Sequence, residues 1–396
     1  MSHNYEVRAN VRVVAGNGSL AELPRLLALH NPTSILLVSS GDYVQELGIL
    51  DAARHAAEQV GATLIEDRGV VPNPRLEHVY ELTETAREHH VDFLLAAGGG
   101  SSIDTAKSVA IALAAPEGKD VWDYFTADPE ENLRHEVPTL KVGVISTLPG
   151  TGSEVGRSAV LTKVSTSEKL GVESNSLRPV FTIVDPTLSR TVPQHYQAAA
   201  IADEIAHLIE TYTADDPDVD ITDRLLEGAT AGALTNAAKY ADNPADDDAR
   251  RQLHQISLYQ HYLNFDRNSD WAGHPIEHVI SGYYDLLHGE GLAIVTVAWL
   301  RYVASRRPDK IVQLVSRIYG VDAVSLGAER VVLGFADYIE ALYAKLGLPT
   351  KLSAYNIGEG ALDQIVDTVT AGGTRTVGAY LPLDRSAVRE LLAAAL

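Results

Sequence analysis

The stretch DFLLAAGGGSSID, residues 92–104, places three consecutive glycines between an apolar run and the start of a helical pattern. Residues 92–97 have the uninterrupted apolar composition of a buried parallel strand, and residues 102–115 have helical periodicity. Glycines in such a turn let the backbone approach a diphosphate, and the free amides at the helix start attract negative charge. We therefore expect the turn to bind a dinucleotide pyrophosphate, although the GxGxxG spacing is absent and a tight structural turn could use the same glycines.

Strand and helix patterns alternate on both sides of this turn, up to about residue 186. Apolar, β-branched runs predict strands, and amphipathic segments of helical length separate them. The predicted strands are residues 34–40, 62–65, 92–97, 141–146 and 180–184, and the predicted helices are residues 43–60, 75–89 and 102–115. This alternation predicts a Rossmann-like α/β domain built on a parallel sheet.

Beyond Pro193 the chain changes character, because long patterns rich in Ala, Leu, Ile and Glu replace the β-type runs. We expect a second, all-helical domain there, since 396 residues exceed what one hydrophobic core usually supports. The predicted domains are residues 1–187 and residues 188–396.

The composition excludes several classes of partner. Hydrophobic residues make up 45% of the chain and charged residues 21%, as in folded globular proteins. A net charge of −21 argues against nucleic-acid and anionic-membrane partners. No apolar run approaches the roughly 20 residues that span a bilayer, and residues 1–6 lack a signal-peptide pattern, so we expect a cytoplasmic protein. Because cysteine is absent, imidazole and carboxylate groups must hold any metal ion.

A second glycine-containing segment, TLPGTGSE at residues 147–154, follows the predicted strand at residues 141–146. Its hydroxyl and amide groups could line the same binding site, because ligands in open α/β sheets bind at the carboxyl ends of the strands. Loops of Gly, Ser, Thr and Pro are also ordinary turns, so this segment is a weak signal by itself.

Two pairs of polar residues in the helical half have the spacing of metal ligands. Asp203 and His207 lie four residues apart, as do His274 and His278, so each pair shares one helix face. His288 follows after a short break. One carboxylate with two or three imidazoles suits Fe²⁺ or Zn²⁺, and leaving such groups buried without partners would be costly. Two such pairs can also arise by chance among hydrogen-bonded core residues, and that alternative stays open here.

Taken together, these motifs resemble the iron-containing (group III) alcohol dehydrogenases. The residues that carry the resemblance occur in order along most of the chain: GVVPNP at 69–74, GGGS at 98–101 with Asp104 and Lys107, TLPGTGSE at 147–154, VDP at 184–186, Asp203, His207, His274, His278, His288-Gly289, and LGLPT at 346–350. The motifs DVWD at 120–123 and WAGH at 271–274 are most similar to the butanol dehydrogenase-like branch.

The resemblance implies a set of functional residues. It implies a metal site formed by Asp203, His207, His274 and His288, with His278 as a proton relay beside the nicotinamide. The implied cofactor contacts are Asp42, Asn73, Gly99, Gly100, Ser101, Asp104, Thr147, Thr151 and Lys169. The implied architecture is the dehydroquinate synthase-like fold, in which a dinucleotide-binding α/β domain, here residues 1–187, precedes an all-α metal-binding domain, here residues 188–396, with the active site between them.

The implied activity is that of a metal-dependent alcohol dehydrogenase or aldehyde reductase, which passes hydride between NAD(P)(H) and a short- to medium-chain primary alcohol or aldehyde. The segment Ser39-Ser40-Gly41-Asp42 mixes the acidic pattern that favours NAD with the small-residue pattern that admits NADP, and Asp42 favours NAD. Fe²⁺ and Zn²⁺ both suit the ligand set, and a homodimer is expected. Two alternatives stay open: an NAD-dependent carbon–oxygen lyase of the dehydroquinate synthase-like type, and a nonenzymatic metal-binding protein.

Overall fold

A computed structural model describes residues 10–216, 219–263 and 267–396 of the chain. Within these residues the β-strands all precede Pro193. They are β1 (Arg12–Ala15), β2 (Ser34–Ser39), β3 (Thr63–Asp67), β4 (Phe93–Gly98), β5 (Lys141–Ser146), β6 (Ser158–Lys163), β7 (Glu168–Glu173) and β8 (Phe181–Val184). Of these, six form a parallel sheet in the order β1-β8-β5-β4-β2-β3, and β6 and β7 form an antiparallel pair.

The central strands of the sheet are buried over their whole length. Every residue of β2 and of β4 is buried. Ile35 and Leu37 of β2 pack into one hydrophobic core, and the alternating Leu36 and Val38 pack into another. A strand with apolar side chains on both faces must be covered on both faces, which explains its continuous apolar sequence. The predicted Rossmann-like sheet is confirmed.

Helices cover both faces of this sheet. The helices of the first half are α1 (Leu23–Ala28), α2 (Tyr43–Glu46), α3 (Ile49–Val60), α4 (Leu76–Glu88), α5 (Gly100–Ala114), α6 (Trp122–Thr126) and α7 (Pro129–His135). Residues of α1 and α3 share one core with β2 and β4, while residues of α4 and α5 share the core on the opposite face. The first half is therefore a three-layer α/β domain.

The strand register brings the carboxyl ends of β2, β4 and β5 to one edge of the sheet. Ser39 at the end of β2 pairs with Ala97, and Gly98 at the end of β4 pairs with Ser146 at the end of β5. The glycine turn and residues 147–154 follow these strands directly. Ligands of open α/β sheets bind at this edge, so the predicted cofactor segments lie where the topology requires them.

Pro193–Leu396 form a compact unit of their own, and the secondary-structure elements described in it are helices. They are α8 (Gln194–Tyr212), α9 (Asp220–Asp242), α10 (Asp247–Gln260), α11 (Gly273–Tyr284), α12 (His288–Ala304), α13 (Asp309–Tyr319), α14 (Ala323–Leu326), α15 (Ala328–Lys345), α16 (Glu359–Val369) and α17 (Arg385–Ala394). α8 and α12 pack against each other and supply much of the core. The predicted all-helical half is confirmed.

The two compact units divide between Val192 and Pro193. The boundary predicted between residues 187 and 188 lies in the short 3-10 helix Pro186–Ser189. Residues 1–9 of the first predicted domain, and residues 217–218 and 264–266 of the second, lie outside the described residues. In the part of the chain that the structure describes, no helix is both long and apolar enough to cross a membrane.

Two local predictions differ from the structure. The single helix predicted over residues 43–60 is two helices, α2 and α3, because Gly48 between them adopts φ 71° and interrupts the helix. The hairpin of β6 and β7 was not predicted from the sequence. Its two strands alternate buried and partly exposed residues only weakly, so the hydrophobic period carries little signal.

Candidate metal centre and cofactor-binding turn

The helix α8 supplies the first two metal-ligand candidates. Asp203 and His207 lie one helical turn apart, and Oδ1 of Asp203 lies 3.1 Å from Nδ1 of His207. Both residues belong to a run on α8 in which every residue from Gln197 to Tyr212 is buried. A carboxylate at this depth requires positively charged or hydrogen-bonding neighbours.

Two further histidines reach the same carboxylate from other helices. His274 lies in the first turn of α11, and His288 begins α12. Nε2 of each histidine lies 3.8 Å from Oδ1 of Asp203. The four residues predicted as metal ligands are thus brought together by three helices.

Three of these four residues form one group that fits a single divalent ion, whereas His288 groups with Glu277 and His278. Asp203, His207 and His274 each offer one ligand atom within 4.8 Å of the others. Ligands about 2.0–2.2 Å from a tetrahedral Zn²⁺ lie about 3–4 Å from one another, as the imidazole nitrogens do from Asp203. Within the described residues, Nδ1 of His207 and Nε2 of His274 are buried and make no hydrogen bond. Buried nitrogens of this kind are explained by an ion or a water molecule.

The electrostatic environments of two of the ligand histidines differ. Burial, followed by the charges of neighbouring histidines with His274 first, holds the pKa of His207 well below its usual range. Burial also acts to lower the pKa of His274, but nearby carboxylates, Glu210 first, outweigh it and raise that pKa. Metal ions bind the neutral imidazole. His207 is therefore in the ligand form at neutral pH without first losing a proton.

Two buried glutamates contact the outer ring nitrogens of this cluster. Nδ1 of His274 donates to Oε2 of Glu210, and Nδ1 of His288 donates to Oε2 of Glu277. The sequence interpretation missed both glutamates. Helical spacing is the signal that could have found them, because Glu210 lies on the same face of α8 as Asp203, and Glu277 lies one turn after His274 on α11.

His278, the predicted proton relay, lies beside the ligand cluster. It is one turn after His274 on α11, and its ring centre lies 5.4 Å from that of His288. It offers a nitrogen within 4.8 Å of ligand atoms of Glu277 and His288. The side chain is only partly buried, so its ring is accessible to solvent.

The glycine turn and residues 147–154 pack against each other at the carboxyl edge of the sheet. The amide of Thr147 donates to the carbonyl of Gly98 over 3.1 Å. A Cβ atom at Gly100 would lie 2.7 Å from Cγ2 of Thr151, so this approach requires glycine. Gly100 begins α5, where the first amides lack helical partners and suit an anion. The structure brings together five predicted cofactor contacts: Gly99, Gly100, Ser101, Thr147 and Thr151.

Asp104, another predicted cofactor contact, is bonded inside the first unit. Its Oδ1 accepts from the hydroxyl of Ser153 over 2.6 Å, and its Oδ2 accepts from the amide of Val160 over 3.0 Å. Lys107, also on α5, donates to both oxygens of Ser153 and to two further carbonyls. Burial raises the pKa of Asp104, which the charge of Lys107 opposes. This placement favours support of the turn over direct contact with the cofactor.

The three remaining predicted cofactor residues are Lys169 and Asn73, which contact each other, and Asp42, which contacts Arg68. Nζ of Lys169, on β7, donates to Oδ1 of Asn73 over 3.0 Å, and both residues are buried. Asp42, just after β2, accepts from Arg68 over 2.9 Å, and its side chain is 86% exposed. The carboxylate predicted to select NAD is therefore already paired with a cation.

Comparison with known proteins agrees with this geometry. The family model for iron-containing alcohol dehydrogenase matches residues 10–186, and the C-terminal model of the Fe-containing alcohol dehydrogenase family matches residues 197–396. A Bacillus subtilis protein named probable NADH-dependent butanol dehydrogenase 1 is 32% identical over 391 residues, which cover 97% of each chain. The chain belongs to the iron-containing alcohol dehydrogenase family.

A second curated protein and a solved structure are similar to the chain over almost their whole length. The NADPH-dependent aldehyde reductase YqhD of Escherichia coli is 28% identical over 378 residues, which cover 95% of each chain. The crystal structure of NADH-dependent butanol dehydrogenase A from Thermotoga maritima matches with a TM-score of 0.89 and 29% identity, over 100% of this chain and 99% of that one.

Membership of the iron-containing alcohol dehydrogenases confirms the predicted family, its butanol dehydrogenase-like branch and the class of activity. The chain is an oxidoreductase of the alcohol dehydrogenase and aldehyde reductase type, with NAD(P)(H) and a divalent metal as cofactors. Family membership favours this activity over the lyase and the nonenzymatic alternatives.

Proposed function

We propose that this chain interconverts short- to medium-chain primary alcohols and aldehydes, with NAD(H) preferred over NADP(H). The observation that carries the proposal is the convergence of His207, His274 and His288 on one carboxylate oxygen of Asp203. The names of the two related butanol dehydrogenases support a small aliphatic substrate and NADH. The pairing of Asp42 with Arg68 also supports NAD, because it occupies the guanidinium group that could otherwise bind a 2′-phosphate.

A bound NAD⁺ would accept the hydride that leaves the carbinol carbon in the oxidation, and the hydroxyl group must also lose a proton. A bound Fe²⁺ or Zn²⁺, held by Asp203, His207, His274 and His288, would supply Lewis acidity that stabilises negative charge on the substrate oxygen. His278 would accept the proton and release it to water, since its ring is only partly buried and imidazole titrates near neutral pH. In the reduction, the same imidazole would return a proton.

The turn between β4 and α5 would hold the pyrophosphate of the dinucleotide. Its support is the start of α5 at Gly100, where the helix dipole adds positive potential. Asn73 and Lys169 are proposed as further contacts. A cytoplasmic location and a homodimer stay predictions, and the net charge of −21 supports the prediction that nucleic acids are not partners.

The proposal is tested by loading the apoprotein separately with Fe²⁺ and Zn²⁺ and assaying acetaldehyde, butanal and hexanal with NADH and NADPH. We expect at least one loaded form to consume NADH in proportion to aldehyde, and the apoprotein to be inactive. We also expect kcat/KM for butanal to exceed that for acetaldehyde.

A different result would contradict each of the three assignments, namely the cofactor, the substrate class and the relay residue. A strong preference for NADPH contradicts the cofactor assignment. A protein that retains the loaded ion but reduces none of the three aldehydes contradicts the substrate class. A His278→Asn variant with unchanged kcat and an unchanged pH profile would contradict the role of His278 as proton relay.

A further inference from the structure

Two of the three metal-ligand histidines, His274 and His288, have a buried glutamate on the side away from Asp203. We propose that Glu210 and Glu277 are positioning residues that fix which ring nitrogen of His274 and His288 is available to the metal ion. The inference rests on the metal site of the proposed function and extends it to residues that do not themselves touch the ion.

The first step concerns the proton on each ring. A neutral imidazole carries one N–H, and a carboxylate can only accept. Because Glu210 and Glu277 each accept from Nδ1, the proton of both rings is held at Nδ1. Nε2 is then left with its lone pair, and in both histidines this is the atom 3.8 Å from Oδ1 of Asp203. A carboxylate behind a ligand histidine also makes the ring more basic and strengthens metal binding.

The second step is that the glutamates are themselves held in place. Oε1 of Glu210 accepts from the amides of Gly273 and His274, over 2.6 Å and 3.3 Å. These amides open α11 and have no partner within the helix. Oε1 of Glu277 accepts from the hydroxyl of Ser281, one turn later on α11. Neither carboxylate can turn away from its histidine without losing a second hydrogen bond.

The third step is that glycines make room for both carboxylates. A Cβ atom at Gly273 would lie 2.9 Å from Oε1 of Glu210, and one at Gly291 would lie 2.7 Å from Cγ of Glu277. Gly291 lies within α12, where alanine is the better helix former by about 1 kcal/mol, whereas Gly273 is the first residue of α11. At Gly291 the helix therefore gives up intrinsic stability where a side chain would displace a glutamate.

The fourth step is burial. The side chain of Glu277 is 0% exposed and that of Glu210 is 10% exposed. A carboxylate at this depth is costly unless it is paired and hydrogen-bonded. A general structural role would be served by any polar partner, whereas here each carboxylate meets a metal-ligand histidine. Glu227 of the helical unit is also buried and serves as a comparison with Glu210 and Glu277. Its carboxylate accepts from Tyr212 and Arg317 rather than from a metal-ligand histidine.

The experiment measures Zn²⁺ affinity by competition with a chromophoric chelator and records the visible spectrum of the Co²⁺-loaded protein. The variants are Glu210→Gln and Glu277→Met, with Glu227→Gln and Glu227→Met as matched controls. A glutamine at 210 replaces one acceptor oxygen with a donor, so it cannot accept from both His274 and Gly273. We expect both variants to bind Zn²⁺ about 10- to 100-fold more weakly and to change the Co²⁺ spectrum. The Glu227 variants should leave both measurements unchanged.

A second pair of variants reaches Glu277 without replacing it. Gly291→Ala should displace the carboxylate and weaken Zn²⁺ binding as Glu277→Met does. Gly334→Ala, on α15, is its control, because a Cβ there meets nothing within 4 Å. Gly291→Ala and its control test the positioning role of Glu277 even if Glu277→Met does not fold.

The outcomes separate this inference from the proposed function. Folded Glu210→Gln and Glu277→Met proteins with the Zn²⁺ affinity and Co²⁺ spectrum of the parent would overturn the positioning role and leave the metal site intact. The same holds if these variants melt at a lower temperature as apoproteins but bind Zn²⁺ as the parent does. A parent protein that binds neither Zn²⁺ nor Co²⁺ would overturn both.

Discussion

Oδ1 of Asp203 on α8 lies 3.8 Å from Nε2 of His288 at the start of α12. The two helices pack along each other, and α12 also packs against α15. The relative position of these two ligands is therefore set by the hydrophobic core of the helical unit. A rigid scaffold of this kind places ligands more accurately than a loop does.

Replacing Asp203 should remove the metal with little effect on the fold of the apoprotein. Asp203→Asn keeps the size of the side chain but deletes the carboxylate on which the three imidazoles converge. We expect the Zn²⁺ content to fall well below one ion per chain. The value of kcat/KM should fall by more than the roughly 100-fold that loss of an outer partner costs. Elemental analysis after dialysis and steady-state kinetics measure the two effects; full metal content in this variant would contradict the ligand assignment.

The pair of Asp42 and Arg68 should control cofactor preference. Asp42 accepts from Arg68 over 2.9 Å, so removal of the carboxylate frees a guanidinium group that can bind a 2′-phosphate. We expect Asp42→Ser to raise the ratio of kcat/KM for NADPH to that for NADH about fivefold, which corresponds to about 1 kcal/mol. The double variant Asp42→Ser with Arg68→Gln is the control and should lose this gain. An unchanged ratio in the single variant would place the ribose site elsewhere.

Much of the site follows from short-range sequence patterns. The glycine turn follows from a strand and a helix that flank it, and Asp203 with His207 follows from helical spacing, because both patterns are local. Glu210 and Glu277 are harder to predict from the sequence. The chain has 53 Asp and Glu residues, and helical spacing alone does not say which of them contacts a metal-ligand histidine. The pairing of Asp42 with Arg68 and the bonding of Asp104 to Val160 depend on the packing of distant segments, which no local pattern records.

Lys107 should be the most sensitive residue beneath the glycine turn. The residue is 0% exposed, its ammonium group donates to four oxygens, and nearby Asp104 acts to raise its pKa against the effect of burial. Lys107→Met would leave buried carbonyls without donors and Asp104 without its cation. We expect a loss of about 3–5 kcal/mol in the free energy of unfolding and a higher KM for NADH. Urea denaturation measures the first effect, with the partly exposed Lys119→Met as a control that should change stability little. Equal stability of Lys107→Met and its parent would show that the network contributes nothing.

Asp270 should make the helical unit less stable as pH rises. Its Oδ1 accepts from the amides of Tyr380 and Leu381, whereas its Oδ2 is buried and makes no hydrogen bond within the described residues. Burial, together with the charge of Glu210, raises the pKa of Asp270 to about 6, although the amides act in the opposite direction. An unfolded chain would have this pKa near 3.9. Between about pH 4 and pH 6 the folded state therefore holds a proton that the unfolded state has lost.

By linkage, this group destabilises the fold progressively as pH rises through that interval, and the effect is constant above it. Asp270→Asn carries no charge at any pH and should escape the loss. We expect the free energy of unfolding of Asp270→Asn, relative to the parent, to increase by on the order of 3 kcal/mol between pH 4 and pH 6 and then to level off. Urea denaturation at several pH values measures the free energy of unfolding of both proteins. A chelator is present so that metal release does not contribute. If the free energy of unfolding of Asp270→Asn changed with pH in the same way as that of the parent, Asp270 would not take up a proton on folding. Other carboxylates titrate equally in both proteins and therefore cancel from the difference.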